Sequence, residues 1–234
     1  MRKIVIVKNY LKHAEGSCMF SLGETKVLCV ASVEEKVPAF IEAKGMDTHG
    51  WITAEYAMLP RSCNQRSSRK KLSEGGRAQE ISRLIGRSLR AAVDLSKLGK
   101  RTVTVDCDVI RADGGTRTAS INGGFVALAL ALKNLRKKKL LEEIPLRDFI
   151  GAVSVGLDTK GRKILDLSAK EDNNALLDMN IVMTSCGKFI EIQGTAEGEP
   201  FSRRKMDELL DLAYTGIKRI TAAQKKSLGR CNDR

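Results

Sequence analysis

Apolar residues fall along this chain in two rhythms, alternating and helical, and the switches between them divide it into elements. Residues 4–7 form a first strand-like run, and residues 18–22 and 26–33 flank Gly23 and Glu24 as a hairpin. A loop with Pro38, Gly45 and Gly50 follows, and residues 51–59 resume an extended pattern that stops at Pro60. From 78 to 97 the period becomes helical. Ile81, Leu84, Ile85, Leu89, Ala92 and Val93 share one face, Arg83, Arg87 and Arg90 another, and Gly99 is the stop. The β-branched run 102–110 predicts a strand. It leads through Asp113-Gly114-Gly115-Thr116-Arg117-Thr118-Ala119-Ser120 into a long apolar helix over 121–135, closed by the basic run 136–139.

After a connector at Pro145, the second half opens with a hairpin, 151–157 and 163–167, around Thr159-Lys160-Gly161. A second hairpin, 178–184 and 188–193, crosses Ser185-Cys186-Gly187. A loop at 194–200 precedes a final amphipathic helix over 202–228, with Met206, Leu209, Leu210, Ala213, Ile217 and Ile220 on one stripe. Both halves run hairpins and then a helix. That order hints at structural duplication, although no sequence repeat accompanies it.

The turn at 113–120 carries the strongest local chemistry. Adjacent glycines let the backbone turn sharply and approach a ligand closely. A helix N-terminus offers unpaired N–H groups and the positive end of a dipole. Thr116 and Thr118 add hydroxyls and Arg117 a cationic fork, so the turn suits a small anion, above all phosphate. The same residues also read as an ordinary βα turn, with Asp113 or Thr116 as N-cap and the arginine facing solvent. Arg77 sits at or just before the start of the 78–97 helix, against the usual dipole preference, and an anion beside it would relieve that conflict.

Charge sharpens this picture. Lysine and arginine total 41 against 28 acidic residues, a net charge of +13, which points to a polyanionic partner such as nucleic acid. Aromatic residues make up only 4%, so phosphate contacts rather than base stacking should dominate. Residues 61–77 carry Arg61, Arg66, Arg69, Lys70, Lys71 and Arg77 against the single acid Glu74. They read as an exposed basic loop ending at Gly75-Gly76, suited to phosphodiesters, though a merely solvated loop has the same composition.

The six cysteines are scattered with no Cys-x-x-Cys pair, and His13 and His49 are the only histidines, which argues against zinc. Cys29 and Cys107 lie in strand-like runs as small core residues, as expected in a reducing compartment. The first apolar run is too short for a signal peptide and no segment has the length of a membrane span, so the expectation is a cytosolic protein with no membrane partner.

Asp172 and Asp178 place carboxylates before a strand and at its start. Such a pair near phosphate suits Mg2+ held partly through water. Alone, the two also read as surface acids flanking the Asn173-Asn174 loop. Asp106 and Asp108 share one strand face as a second, weaker pair. Neither histidine stands in a triad-like setting, and Ser120 lacks a nucleophile-elbow context. An anion cradle with no protein nucleophile fits an enzyme whose nucleophile is the bound anion: inorganic phosphate attacking an RNA phosphodiester.

Several blocks resemble the bacterial ribonuclease PH family. They are Gly50 to Tyr56, Met58 to Ser62, Gly75-Gly76-Arg77, Leu84 to Arg87, Val105-Asp106-Cys107-Asp108, Ala112 to Ser120, Asp178-Met179-Asn180 and Gly194 to Phe201, in order over nearly the whole chain. The resemblance implies a phosphate-dependent 3′→5′ exoribonuclease, a tRNA nucleotidyltransferase that trims tRNA precursors and other RNA 3′ ends and releases nucleoside diphosphates. It implies an α+β, ribosomal-protein-S5-like fold of mixed, hairpin-rich sheets packed with helices. It further implies one domain of this type over 1–234, with a core part over about 1–140 and a smaller part over about 150–228, assembled as a homohexameric trimer of dimers. By matching motifs, Arg77, Gly115, Thr116 and Arg117 would take phosphate as co-substrate. Asp172 and Asp178 would be the catalytic acids, acting with Arg117 and holding Mg2+, and Arg61, Arg66 and Arg69 would handle RNA.

The chain also departs from the family pattern. Family members begin with an arginine-rich lead before the first strand; here Arg2 stands near the place of its last arginine. The loop at 43–50 is longer than the family's and the basic loop before Gly75 slightly shorter. Two rivals remain: a non-catalytic RNA-binding ring subunit, which need not keep Arg77, Arg117, Asp172 and Asp178, and a phosphate-dependent nucleoside enzyme, which leaves the basic loop unexplained.

Overall fold

The computed structural model describes residues 1–43, 45 and 48–229, apart from the side chains of 71, 73 and 74. Cys231 and part of the 43–50 loop lie outside the described residues. The first sheet holds β1 (Ile4–Lys8), β2 (Gly16–Leu22), β3 (Thr25–Glu34), β4 (Trp51–Met58) and β5 (Thr102–Arg111), in spatial order β1-β2-β3-β5-β4. Its neighbours are antiparallel except β4 and β5, which run parallel. A short helix α1 (Ala39–Glu42) precedes β4. The crossover from β4 to β5 carries α2 (Arg69–Glu74), α3 (Gly76–Ala91) and a 3-10 turn at Leu95–Lys97. The central helix α4 (Thr116–Lys137) then leads to an antiparallel second sheet. Its strands are β6 (Ile150–Leu157), β7 (Lys163–Leu165), β8 (Leu177–Thr184) and β9 (Phe189–Ala196), in order β7-β6-β8-β9, with α5 (Ala169–Asp172) before β8 and α6 (Arg203–Leu228) at the end.

The alternation along β5 explains the layering. Val103, Val105, Cys107 and Val109 are buried under α4, while Asp106 and Asp108 point to the other face of the sheet. Helix α4 is apolar around most of its circumference because it packs on both sheets. Gly123 seats it against the first sheet, where an added Cβ would lie 2.6 Å from the Cys29 sulfur. Asn122 joins it to the second. Its Nδ2 donates to the Ala152 carbonyl at 2.9 Å, and the Ala152 N–H donates to its Oδ1 at 2.7 Å. Both bonds are buried, so neither partner can be removed without stranding the other. The predicted stripe on α6 is realised: Leu209, Ala213, Ile217 and Ile220 are buried against the second sheet.

The α+β pattern of hairpins and packed helices is as the sequence suggests, and the structure differs from it at several boundaries. The segment read as a basic loop contains α2, and Gly75 is the N-cap of α3. Helix α3 ends at Ala91 instead of continuing to 97, because the Asp94 carboxylate takes the Ser96 N–H and caps a 3-10 turn. Strand β7 stops at Leu165 because Asp166 adopts a left-handed φ of 68°. Strand β9 runs on to Ala196 through residues read as a loop. Gly194 permits this, since the Met179 side chain occupies the space a Cβ would need, 2.7 Å away.

Candidate active site

The turn from β5 to α4 is pinned before it offers anything to a ligand. The Asp113 N–H donates to the Thr25 hydroxyl at 2.9 Å, and that hydroxyl donates to the Gly114 carbonyl at 2.7 Å. Gly114 and Gly115 both take left-handed φ values, 76° and 63°. A Cβ on Gly114 would lie 2.6 Å from the Ala169 nitrogen, so the turn sits directly on the backbone that leads into α5. Gly115 is the N-cap of α4, where Asp113 or Thr116 was expected, and it supplies no capping side chain. The first N–H groups of the helix therefore keep their donor capacity for an anion.

The side chains around the turn come from both sheets. The Tyr56 hydroxyl on β4 donates to Thr116 Oγ1 at 2.9 Å. Burial raises the Tyr56 pKa, against the pull of the Thr116 bond and of Arg77 and Arg117, so the phenol stays neutral and a donor. Arg117 Nη1 donates to Gln193 Oε1 on β9 at 3.3 Å, and its Nη2 lies 3.6 Å from a Glu80 carboxylate oxygen on α3. Arg77, expected at or before the helix start, lies in the first turn of α3 with its side chain exposed.

The facing wall is acidic. Helix α5 opens with a reciprocal capping box between Ser168 and Glu171 and ends at Asp172. Asp178 and Asn180 are two apart on β8 and so share a face; Glu197 follows β9. Asp172, Asp178, Asn180 and Glu197, with Arg77, Gly115, Thr116 and Arg117, line one cleft of about 680 Å³. Asp178 is held above the usual carboxylate range, first by burial and then by repulsion from Asp172 and Glu197, with Arg117 opposing. Acids in that state are stabilised by an added cation. Among the described residues no group of three or more His, Cys, Asp or Glu side chains is placed to cage a metal. The donor set of Asp172 and Asp178 fits Mg2+, which commonly uses one or two carboxylates and completes its shell with water and substrate phosphate.

The remaining candidates are placed elsewhere. Arg61 lines an adjoining groove with Lys26 and Arg111. Arg66 and Arg69 are exposed and line neither the cleft nor that groove. Asp106 and Asp108 lie with Glu55 and Arg83 around a separate pocket, not in the cleft. Burial lifts both of their pKa values, and the Arg69 charge counters this at Asp108. Sequence reasoning did not single out Tyr56, Asn180, Gln193 or Glu197 as site residues. The spacing of Asn180 from Asp178 was a usable signal, whereas the partners Tyr56, Gln193 and Glu197 are brought in by long-range pairing.

The family model for the 3′ exoribonuclease family, domain 1, matches residues 1–133, and the one for its domain 2 matches residues 148–216. Ribonuclease PH of Geobacillus sp. (strain WCH70) is 54% identical over 233 residues, covering 98% of this chain and 89% of that protein. Ribonuclease PH of Bacillus pumilus (strain SAFR-032) is 52% identical over 232 residues, covering 98% and 94%. Among solved structures, rice (Oryza sativa) Rrp46 aligns with a TM-score of 0.77 at 19% identity over 97% of this chain and 95% of its own. The Archaeoglobus fulgidus exosome with RNA bound to the active site aligns at 0.79 and 23% identity over 95% and 88%. At these identities the two structures speak for the fold alone.

Proposed function

The chain belongs to the ribonuclease PH family of 3′ exoribonucleases, and we propose that its cleft carries out the phosphorolytic trimming of tRNA 3′ ends. The protein is a phosphate-dependent 3′→5′ exoribonuclease acting on tRNA precursors and other RNA 3′ ends. The observation that carries this reading is the meeting, in one cleft, of an uncapped helix N-terminus with two arginines on one wall and paired acids on the other.

Inorganic phosphate is the co-substrate and the nucleophile. Arg77, Arg117, Thr116 and the N–H groups after Gly115 hold and orient it, so a bimolecular attack proceeds within one site. A phosphate oxygen forms a bond to the phosphorus of the last phosphodiester as the bond from that phosphorus to the O3′ of the preceding nucleotide breaks. The proton of the attacking hydrogen phosphate ends on that O3′. The products are a nucleoside diphosphate and an RNA one nucleotide shorter with a free 3′ hydroxyl. Arg117 offers planar, bidentate contact to charge that spreads over the phosphoryl oxygens. Asp172 and Asp178 would hold Mg2+, which when bound supplies neutralisation of phosphoryl charge. Arg61, Arg66 and Arg69 are assigned to the RNA backbone outside the cleft.

We further assign the chain to a single folding unit over 1–234, supported by the Asn122 bonds that join α4 to the second sheet, with a core part of about 1–140 and a smaller part of about 150–228. A homohexamer, arranged as a trimer of dimers, is supported by exposed apolar side chains on both sheets, Val5 and Val7 on β1 and Phe189 and Ile192 on β9. With RNA precursors as substrates, the enzyme is assigned to the cytoplasm. The test is digestion of a tRNA precursor with and without phosphate. Nucleoside diphosphates that form only with phosphate are expected. Monophosphates that form at the same rate without phosphate would overturn the reading.

A further inference from the structure

One ion pair near the cleft is bonded to the backbone of both of its walls. The Arg2 N–H donates to Asp166 Oδ2 at 2.8 Å, its Nε to the same oxygen at 3.0 Å, and its Nη2 to Oδ1 at 2.6 Å. The Asp166 side chain is 1% exposed and that of Arg2 17%. The rest of the guanidinium reaches the backbone. Nη1 donates to the Asp113 carbonyl, and Nη2 lies 3.2 Å from the Leu167 carbonyl and 3.5 Å from that of Gly114. The first and third of these carbonyls belong to the glycine turn, the second to the segment that enters α5 and ends at Asp172. Arg2 also covers Gly115, with Nη2 3.1 Å from the position of a Cβ there.

Asp166 is in the left-handed region, which aspartate enters more readily than most non-glycine residues and which surrounding bonds hold here. Here the enforcing bonds are those of Arg2 and that of the Asp166 N–H, which donates to the Ser154 carbonyl at 2.7 Å. The fork geometry matters. A planar guanidinium satisfies a carboxylate bidentately and still has donors for carbonyls on two segments, which an ammonium cannot match.

We propose that Arg2 and Asp166 form a positioning pair that sets the separation between the phosphate-holding turn and the acid wall. This inference rests on the phosphorolytic reading. It assigns neither residue contact with substrate. The pair acts by fixing the backbone at 113–114 and 166–167, so its loss lets the two walls drift apart, and a displacement of about 1 Å at such a site costs up to about a hundredfold in rate. The consequence separates from that of a merely structural bond. A pair that only stabilised the fold would, when broken, lower the fraction of active enzyme: kcat falls with the melting temperature, and the concentrations of phosphate and Mg2+ needed for half-maximal rate stay put. A positioning pair shifts those two concentrations while tRNA affinity is kept.

The test uses the full chain with Arg2→Lys, Arg2→Ala, Asp166→Asn and the Arg2→Ala/Asp166→Asn double variant. Rates are measured against phosphate and against Mg2+, with tRNA binding and thermal unfolding followed in parallel. Arg2→Ala is expected to raise the phosphate KM about tenfold or more and to raise the Mg2+ requirement with it. The double variant should be little worse than the single ones, since the two residues act as one unit. Arg2→Lys keeps a buried positive charge beside Asp166 and guards against a variant that fails to fold; it should melt near wild type yet recover only part of the phosphate affinity. Wild-type phosphate and Mg2+ dependence in a folded Arg2→Lys or Arg2→Ala protein would overturn the proposal. The wild-type control keeps the two readings apart: if wild type itself ignores phosphate, the proposed function fails first.

Discussion

Two basic regions of this enzyme are proposed to meet phosphate, and they are built in opposite ways. The turn at 113–117 is short and tied to β3 by Thr25, to α5 by the close approach of Gly114, and to β9 and α3 by Arg117. The segment from Arg61 to α2 carries more positive charge and is mostly exposed. Arg61 bonds to the nearby Asn64 carbonyl, and the Arg69 charge acts on Asp108. The difference teaches how one anion can be handled in two roles. A nucleophile must be held within a fraction of an ångström, which needs fixed donors. A polyanion's body needs only to be attracted, and for that exposed surface charge suffices.

The largest effect should come from Arg117→Ala. It removes the proposed bidentate, charge-assisted contact to the nucleophile, and such a contact is typically worth about 2 to 4 kcal/mol, or about thirty- to a thousandfold in rate. Transfer rate measured against phosphate tests this: the variant should be partly recovered at very high phosphate, and Arg117→Lys should recover poorly because a point charge cannot replace the fork. tRNA affinity should barely move. An unchanged rate and phosphate dependence would erase the contrast between the two regions.

Asp178→Asn comes next and should act in two directions. Activity falls by about a hundredfold, since the proposed metal-holding charge matters in the transition state, while tRNA binding is kept or improved. Stability moves the other way. The Asp178 pKa is raised in the folded state by burial and by Asp172 and Glu197. The favourable, protonated form is present at low pH, and its contribution is lost as pH rises through the raised pKa. At neutral pH the asparagine variant should therefore melt higher than wild type. The gap should close as pH falls below the usual aspartate range. Thermal unfolding from pH 3 to 8 reads it directly; a variant that melts lower at pH 7 would contradict the assigned repulsion.

Gly114→Ala should be intermediate and is a test of the fixed turn itself. A Cβ there meets backbone atoms of 167–169 at 2.6 to 2.7 Å, in a left-handed conformation. A cost of about 1 to 3 kcal/mol in stability is expected, together with a higher phosphate KM. Gly161→Ala, also left-handed but in open space, is the control for strain without the clash.

The contrast between the regions also explains what the sequence revealed. The turn was readable because its demands are local: two glycines, hydroxyls and an arginine between a strand and a helix. Asp172 and Asp178 stood out as carboxylates before a strand and at its start, and the fold brings both to one cleft. The Gly115 N-cap was not readable, because a side-chain cap at Asp113 or Thr116 has the same local pattern, and only the packing of Gly114 on α5 selects against it. Helix α2 was hidden because a charged run with little apolar periodicity looks like a loop, though Leu72 is partly buried. The bonds of Tyr56, Gln193 and Asp166 span 60 to 164 positions along the chain, and no local pattern announces such partners.

The smallest expected effect is in the exposed segment and is read best through salt. Each arginine on an RNA phosphate releases counterions and contributes roughly 0.7 to 0.9 to the slope of log affinity against log salt. Arg66→Ala should remove about that much from the tRNA-binding slope and leave the trimming of very short RNA unchanged, because it does not line the cleft. Arg69→Ala should remove less. Its charge already acts on Asp108, so part of its field is committed within the protein, and the Asp108 pKa should rise when it is lost. The ranking of the two slopes is therefore the sharp measurement. Assembly must be wild type in both variants, checked by sedimentation, since a lost subunit contact would change the slope for another reason. With assembly intact, equal slopes in Arg66→Ala, Arg69→Ala and wild type would mean that the segment does not reach RNA. A raised phosphate KM in either variant would mean that the segment serves the nucleophile, and the division between fixed and exposed charge would fail.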